Sequence, residues 1–310
     1  MIAVCVHRYG GPEVLTLEET AMLGPSKNEA LIRVRAAGVG PWDALLRTGD
    51  SGIPQTLPLI PGSDIAGIVE ATGEEVYGVT NPSFAGGYAQ YAAASLDSIA
   101  RKPKRLSFVE AASVPVVAVT AWQMLFDRAK VSAGQTVLVQ GAAGNVGAYA
   151  VQLAHWAGAR VIAVSAAADA EYLRSLGADE VIDFRTQRFE EHVSGVDAVI
   201  DTVGGDTQTR SFGAVKPGGM LVSSVSQPSE ALAAQHGVRT AFFIVAVTAP
   251  QLERIAQLID DGVLKTDVGV VLGLADARKA HEMLAGTVPH PRGKIVLDLD
   301  KPGGTEQNRA

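Results

Sequence analysis

Short apolar or alternating runs, separated by glycine and proline, fill the first hundred residues of the chain. Runs of this length and spacing are typical of β-strands joined by tight turns. The predicted strands cover residues 3–6, 29–36, 65–70 and 88–93. The pattern therefore predicts a barrel-like β domain at the start of the chain.

From about residue 107 the pattern changes to strands that alternate with helices. The predicted strands are 136–140, 160–165, 180–182, 198–201, 220–225 and 240–247, and the predicted helices are 109–112, 116–128, 146–157, 168–176 and 250–261. Such alternation predicts a parallel, doubly wound sheet. A helix over 275–284 and a strand over 294–299 follow, and the polar residues 301–310 are expected to be frayed.

Length and composition limit the class of protein. At 310 residues the chain exceeds a usual single domain, so two domains are expected. The formal net charge of −7 argues against a nucleic-acid-binding protein. Because Cys5 is the only cysteine, neither an internal disulfide nor a zinc site built from cysteines is expected, and a cytoplasmic location fits. Apolar stretches fall well short of the ~20 residues that span a bilayer, so neither a membrane span nor a signal peptide is expected.

The sharpest chemical signal is a glycine-rich turn at residues 137–147, which reads VLVQGAAGNVG. A predicted strand enters the turn and a predicted helix leaves it, which is the context that a dinucleotide site requires. Small residues let the backbone approach a pyrophosphate, and the helix N-terminus offers free N–H groups. The first gap is one residue longer than in the usual fingerprint, so a purely structural turn is the alternative interpretation.

The end of the next predicted strand bears on the choice of cofactor. NAD sites usually place an Asp or Glu there, which binds the ribose hydroxyls. In this chain the strand ends at Ser165, and three alanines follow it. Because a serine accommodates a 2′-phosphate that a carboxylate would repel, the sequence favours NADP(H) over NAD(H).

Several segments, in order along the chain, resemble one known family. They read AGVGPWD at 37–43, PGSDIAG at 61–67, GGYAQY at 86–91, TAWQ at 120–123, LGAD at 176–179, DTVGG at 201–205 and RGKIVL at 292–297. With the glycine turn, they resemble the medium-chain dehydrogenase/reductase superfamily, in its zinc-independent quinone oxidoreductase (zeta-crystallin-like) branch. The resemblance implies an α/β fold with a GroES-like β-barrel domain for substrate and catalysis, at residues 1–115 and 280–310. It also implies a Rossmann domain with a doubly wound parallel sheet, at residues 116–279, that binds NADP(H).

The resemblance implies the residues of a site as well. Asp43 and Thr120 are the candidate catalytic residues, although Asp43 is equally well explained as a capping or ion-pairing aspartate. The implied cofactor-binding residues are Thr120, Ala143, Gly144, Asn145, Val146, Gly147, Ser165, Arg185, Val203, Gly204, Val225, Ser226, Phe242, Phe243, Val245, Arg292, Gly293 and Lys294. An ordinary apolar strand is the alternative for Phe242 and Phe243. Asp169 and Phe184 replace a lysine and a tyrosine that often hold the 2′-phosphate in relatives, and Arg185 is expected to substitute for them.

No metal site is predicted. The Gly-His-Glu position of the zinc-dependent branch reads Gly62-Ser63-Asp64, and the six histidines show no paired spacing. Without a Lewis acid to polarise an alcohol, the predicted activity is transfer of hydride from NADPH to quinones or α,β-unsaturated carbonyl compounds. Many relatives have Asn at the position of Gly40 and tyrosines near Leu45 and Ser51. Those side chains line the acceptor pocket in relatives, so their loss removes possible hydrogen-bond donors. An NADPH-binding sensor or structural protein with little turnover is therefore the alternative.

The longest β-favouring run, residues 239–247, is predicted to form an outer strand of the Rossmann sheet. An open strand edge invites pairing with a second chain, and the resemblance implies dimerisation through this sheet. The sequence therefore predicts a homodimer that acts on a small molecule, without a nucleic-acid or membrane partner. An edge covered by its own chain is the alternative.

Overall fold

The computed structural model describes residues 1–22 and 24–301. The strands are β1 Ile2–Val6, β2 Leu15–Glu19, β3 Glu29–Val39, β4 Asp64–Val69, β5 Glu75–Val79, β6 Tyr91–Ser95, β7 Ile99–Arg101, β8 Thr136–Gln140, β9 Arg160–Ser165, β10 Glu180–Asp183, β11 Val196–Asp201, β12 Val215–Ser223, β13 Arg239–Phe242, β14 Val268–Gly273 and β15 Lys294–Asp298. The helices are α1 Pro41–Thr48, α2 Phe108–Ala112, α3 Pro115–Trp122, α4 Asn145–Trp156, α5 Ala170–Ser175, α6 Phe189–His192, α7 Gly205–Ser211, α8 Glu230–His236, α9 Ala249–Asp260 and α10 Ala277–Leu284. The prediction of a frayed tail falls, apart from residue 301, outside the described residues.

The chain divides into two compact units. The first contains residues 1–116 and the described part of 246–310, and the second contains residues 117–245. The compact units thus separate at 245/246, whereas the domain boundary from the sequence analysis lies at 279/280 and stays a prediction. The difference arises because β14 pairs with β15, and because the Tyr77 hydroxyl donates to the carbonyl of Leu252 in α9 across 2.6 Å. Hydrophobic periodicity predicts whether a segment is a helix or a strand, but it does not predict which unit the segment packs in.

The first unit is built on a largely antiparallel sheet. Among the described residues, its strands lie in the order β14, β15, β3, β4, β5 and β7, and β6 also pairs with β3. Among the described strands of this sheet, β14 and β15 form the only parallel pair, and all the other pairs are antiparallel. The residues of its main apolar core include Val4, Val6, Val39, Leu59, Tyr88, Leu274, Ile295 and Leu297. The predicted GroES-like β domain is confirmed.

The second unit contains a parallel sheet with the strand order β10, β9, β8, β11, β12 and β13. Its core is built from branched apolar side chains of these strands, such as Leu138, Ile162, Val199 and Leu221. The direction of winding reverses between β8 and β11, so the connections leaving these two strands diverge at their carboxyl ends. This is the switch point at which doubly wound folds bind dinucleotides. The predicted Rossmann sheet is confirmed.

Strand β13 lies at one edge of this sheet, as predicted for an outer strand, but it ends at Phe242 rather than near residue 247. Phe242 pairs with Ser223, which is the last residue of β12. Within the described residues, the pairing of β13 with β12 ends at this point. In the described part of the chain, no helix combines the length and apolar character needed to cross a membrane.

Candidate functional site

The glycine turn follows β8 and leads into α4. Gly141 has φ +68°, a conformation that favours glycine, and Gly144 is the N-cap of α4. A Cβ at Gly147 would lie 2.3 Å from the Gly141 carbonyl oxygen, so only glycine lets the helix approach the turn this closely. A Cβ at Gly144 would meet only that oxygen, at 3.2 Å. The amides of the first helical turn have no intrahelical acceptor, so the turn presents donors suited to an anion.

A cavity of about 460 Å³ opens beside this turn, within the second unit. Its lining residues are Gln140, Gly141, Ala143, Gly144, Val164, Ser165, Ala166, Asp169, Phe184, Arg185, Gln187, Phe189, Val203, Thr207 and Arg210. Of the predicted cofactor residues, the cavity thus brings together Ala143, Gly144, Ser165, Arg185 and Val203. Asn145, Val146 and Gly147 form the start of α4 directly after them. The position and size of the cavity suit one half of a dinucleotide.

The end of the cavity formed by the segments after β9 and β10 carries mixed charge. Ser165 is buried, and its hydroxyl donates to the carbonyl of Ala166 across 3.1 Å. The Arg185 guanidinium lies 5.7 Å from the centre of the exposed Phe184 ring and makes no ion pair with any described residue. Arg210, in contrast, is paired with Glu190 across 2.9 Å. Arg185 is therefore the cation at this end that is available to a phosphate, and Asp169 is the nearby carboxylate.

The loops after β11 and β12 carry Val203 and three further predicted residues. Val203 and Val225 expose 47% and 48% of their surface, and Gly204 has φ +77° as the N-cap of α7. A Cβ at Gly204 would lie 3.0 Å from a methyl group of Val225 and 3.4 Å from the Ser226 hydroxyl. The two loops are therefore in direct contact. Parallel strands place these loops at the same edge of the sheet as the glycine turn.

The residues predicted near the end of β13 separate into different environments. Phe242 is exposed, whereas Phe243 is buried with the Arg128 guanidinium 5.1 Å from its ring centre. Val245 is half-buried. Thr120 is buried in α3. Phe243 thus contributes to packing as an ordinary apolar residue would, while Phe242 presents its ring to solvent.

The remaining predicted residues belong to the first unit. Arg292 pairs with Asp267 across 3.0 Å, and Gly293 has φ +106°. The Lys294 ammonium donates to Oδ2 of Asp64 across 3.1 Å, and both side chains are only 3% exposed. The other oxygen of Asp64 accepts the N–H of Val116, 2.8 Å away, in the first turn of α3. Lys294 is therefore held in a buried ion pair.

Asp43 lies in the first turn of α1 and is 1% exposed. Its Oδ2 accepts the Gly40 N–H across 2.8 Å and the Tyr88 hydroxyl across 3.1 Å, and its Oδ1 has no partner among the described residues. Burial raises the pKa of Asp43 to about 7, and the Gly40 amide opposes that rise. Asp43 thus caps the start of its own helix and can hold a proton near neutral pH.

Comparison with known proteins agrees with this architecture. Family models match residues 26–104 (alcohol dehydrogenase GroES-like domain), 108–189 (glutamate/leucine/phenylalanine/valine dehydrogenase) and 176–297 (zinc-binding dehydrogenase). The quinone oxidoreductase of Sus scrofa is 30% identical over 96% of this chain and 98% of its own length. The chain belongs to the medium-chain dehydrogenase/reductase superfamily. It is an oxidoreductase of that superfamily with quinone oxidoreductases among its relatives.

Two further matches are an enzyme from a plant and a solved structure with a bound cofactor. The 2-methylene-furan-3-one reductase of Solanum lycopersicum is 34% identical over 83% of this chain and 68% of its own length. The structure of a mycobacterial protein complexed with NADPH has a TM-score of 0.84 and 28% identity, covering 96% of this chain and 99% of that one. Among the described residues, no group of three or more His, Cys, Asp or Glu side chains has the arrangement of a metal site.

Sequence reasoning missed part of the cavity wall. Thr207 and Arg210 line it from α7, and Gln140, Gln187 and Phe189 line it from three other segments. A partial signal existed for α7, because residues three apart share a helix face and this helix begins after a strand that ends at the switch point. Gln140 stands in the glycine-turn motif, directly before Gly141, so that motif was its signal. Nothing in the local pattern distinguished Gln187 and Phe189.

Proposed function

We propose that this protein transfers hydride from NADPH to quinones or α,β-unsaturated carbonyl compounds without a metal ion. The observation that carries the proposal is the cavity at the switch point, where the glycine turn, Ser165, Arg185 and Val203 meet. The relatives named above support the same class of acceptor, since one is a quinone oxidoreductase and another reduces an enone-type furanone. When bound, the dihydronicotinamide supplies the hydride; the chain supplies orientation and excludes water.

The residues present fit a dinucleotide. Gly144 places no side chain at the start of α4, where a Cβ would lie 3.2 Å from the Gly141 carbonyl oxygen, and the first-turn amides of Asn145, Val146 and Gly147 would hold the pyrophosphate. In the second unit, Val203, Gly204, Val225, Ser226 and Phe242 would flank the nicotinamide half. Thr120, Phe243, Val245, Arg292, Gly293 and Lys294 keep the cofactor roles that the resemblance implies, as proposals.

NADPH is the proposed cofactor because the cavity combines a serine at the end of β9 with Arg185, a cation that has no acidic partner within residues 1–22 and 24–301. A 2′-phosphate carries charge that Arg185 would pair, and charge-assisted hydrogen bonds of this kind are strong. Asp169 acts in the opposite direction, because a carboxylate repels that phosphate and binds ribose hydroxyls instead. The preference therefore depends on the balance between these two side chains.

The proposed independence from metal is supported by the chemistry of the residues that stand, by the resemblance, at the metal positions of relatives. Ser63 replaces a histidine, and the carboxylate of Asp64 is already engaged by Lys294 and by the Val116 amide. Acceptors that already carry an electron-poor alkene or quinone need no Lewis acid to take a hydride. We assign the first unit the substrate and catalytic functions, with Asp43 as a proton-holding group. Thr120, which belongs to the second unit, is proposed as the residue beside the nicotinamide.

The protein is proposed to be a cytoplasmic homodimer. β13 is an exposed, short edge strand, and antiparallel pairing with the same strand of a second copy would satisfy its free backbone groups. The single cysteine, which is buried, suits a reducing compartment.

The decisive experiment follows NADPH consumption at 340 nm with a panel of small quinones and enones, after treatment with a chelator and a metal assay. Turnover with metal-free protein on either acceptor class is the expected result. Gly144→Val should abolish turnover and NADPH binding, whereas Gly213→Val should preserve both, because Gly213 lies in open space with no contact within 4 Å. NADPH binding without turnover on any acceptor would instead favour the sensor function, and no binding at all would overturn the proposal.

A further inference from the structure

Asp201 organises the loop after β11. It is fully buried at the last position of that strand. Its Oδ1 accepts the N–H of Val203 across 3.0 Å and the N–H of Gly204 across 2.9 Å. Two backbone donors on one carboxylate oxygen fix the path of the loop that presents Val203 to the cavity.

Gln208 connects this loop to the next one. It lies in α7, is 6% exposed, and its Nε2 donates to Oδ2 of Asp201 across 2.9 Å. The same nitrogen lies 3.1 Å from the carbonyl oxygen of Ser226 and 3.2 Å from its hydroxyl. An amide carries two hydrogens, so one can serve Asp201 while the other serves Ser226. One buried side chain thus bridges the loops that follow β11 and β12.

Both ends of this bridge are anchored in turn. The Ser223 hydroxyl oxygen accepts the N–H groups of Val225 and Ser226, at 3.1 and 3.3 Å. The Thr202 hydroxyl donates to the carbonyl of Gln140 across 2.8 Å, which ties the β11 loop to the start of the glycine turn. The three loops at the switch point are therefore linked by one continuous set of hydrogen bonds, and Gln208 is its central donor.

We propose that Gln208 is a positioning residue that sets the loops holding the nicotinamide half of the cofactor. The inference rests on the proposed function. A dinucleotide crosses the switch point, so its halves lie on opposite sides of the reversal in strand order. The segments after β9 and β10 receive the adenosine half, and the loops joined by Gln208 receive the other. Gln208 lies outside the sequence motifs that resemble the family, and it does not itself line the cavity.

The test compares binding of whole NADPH with binding of 2′-phospho-ADP-ribose, which lacks the nicotinamide. Gln208→Leu removes the bridge at nearly constant volume and should weaken NADPH binding about tenfold, equivalent to ~1.4 kcal/mol. Affinity for the fragment should stay within about twofold, because no contact with the adenosine side is removed. In steady state, the KM for NADPH should rise and kcat should fall, because a loosely held nicotinamide ring is also poorly aligned with the hydride acceptor.

A matched control separates positioning from simple destabilisation. Gln152 is 5% exposed in α4 and donates to the Ala148 carbonyl, so Gln152→Leu changes a glutamine of the same burial in the same unit. It should lower Tm without changing the ratio of NADPH to fragment affinity. If Gln208→Leu does not fold, Gln208→Asn keeps the amide but shortens its reach, and it should give the same change in ratio.

Three results would overturn the inference. Equal weakening of NADPH and fragment by Gln208→Leu would place its effect on the whole cavity. An unchanged NADPH affinity with a lowered Tm would make the residue purely structural. If the wild-type protein binds the fragment and NADPH with equal affinity, the nicotinamide half contributes nothing to binding and the loops do not hold it. Failure of the wild type to bind either one would overturn the proposed function itself, and the inference with it.

Discussion

The phenolic hydroxyl of Tyr88 donates a hydrogen bond to Oδ2 of Asp43 across 3.1 Å, in the buried interior of the first unit. The ring of Tyr88 also lies edge-on to His281, with 5.9 Å between the ring centres. Neither nitrogen of His281 has a hydrogen-bond partner among the described residues. Lys294 and Asp64 are the charges that act on Asp43, and Arg47 is the charge that acts on His281.

Stability should depend on pH through Asp43 and His281 in opposite senses. Burial raises the pKa of Asp43 from 3.8 to about 7, so its contribution is present at low pH and is lost as pH rises towards and through 7. Burial, assisted by Arg47, lowers the pKa of His281 from 6.5 to about 4, so its contribution is lost as pH falls from 6.5 through 4. Between pH 4 and pH 6.5 the two changes in the free energy of unfolding have opposite signs and nearly cancel. Above pH 7 the contribution of His281 is fully present and that of Asp43 is lost.

Asp43→Asn should remove one side of this balance. The variant keeps an oxygen for Gly40 and Tyr88 but cannot ionise, so relative to wild type it should gain on the order of 1–3 kcal/mol between pH 5 and pH 8.5. Urea unfolding across that range measures the difference. A wild-type-minus-variant curve that is flat with pH would show that Asp43 does not titrate in this window.

The buried pair of Asp64 and Lys294 should be strongly non-additive. Lys294→Met leaves a buried carboxylate without its cation, and Asp64→Asn leaves a buried ammonium without its anion, each costing about 3–5 kcal/mol. The double variant keeps the acceptor for the Val116 amide and has no buried charge, so it should be more stable than either single variant. Denaturant unfolding of all four proteins gives the coupling, and additive losses would contradict the pairing.

Gly147→Ala should be costly although the residue added is small. Its Cβ would lie 2.3 Å from a backbone oxygen and 2.7 Å from the Cα of Ala142, so the helix or the turn must move. A loss of about 1–3 kcal/mol is expected, as for overpacking elsewhere. Gly213→Ala, in open space in the same unit, is the control and should stay close to wild type in thermal unfolding. Equal melting temperatures would show that the turn is not tightly packed.

Arg185 should discriminate between the two cofactors. Arg185→Ala is expected to weaken NADPH binding about 10- to 100-fold and to leave NADH binding nearly unchanged, because the lost contact is to the 2′-phosphate. Asp169→Asn should shift the ratio the other way, towards NADPH. Fluorescence titration with both cofactors measures the ratios. A wild-type preference for NADH would overturn the cofactor proposal and identify Asp169 as the ribose ligand.

The mass in solution should be about twice 32.2 kDa. Light scattering coupled to size exclusion measures it directly. Thr240→Pro in β13 should give the monomer, because proline removes a backbone donor from the exposed strand and fits poorly in a ladder. A monomeric wild type at micromolar concentration would contradict pairing through β13, as would a dimer that survives this substitution unchanged.

Local sequence information was sufficient for most of the secondary structure that supports the site. β8, α4 and β9 lie within one residue of their predicted bounds, because each combines a clear hydrophobic period with a glycine turn. The short strand β7 and the helices α7 and α8 were not predicted, since β7 has only three residues and α8 only seven, and α7 (GDTQTRS) carries no large apolar residue.

The residues of the site likewise fall into those that local sequence predicted and those that only the fold brings together. Gly141, Gly144 and Gly147 were recognised from their place between a predicted strand and a predicted helix, although their spacing departs from the usual dinucleotide fingerprint. No local pattern predicted that Lys294 would pair with Asp64, a residue 230 positions earlier. The same holds for the bridge that Gln208 makes to Asp201 and Ser226.

By itself, the sequence determined the strand and helix periods, the glycine turn and the absence of a full set of cysteine or histidine ligands. The tertiary structure decided that β14 joins the first unit and that Asp43 is buried enough to hold a proton near pH 7. It also decided that Arg210 pairs with Glu190, whereas Arg185 has no acidic partner in the described part of the chain. The reason is physical. Periods and turns depend on neighbours in the chain, whereas ion pairing and burial depend on which distant strands the fold places side by side.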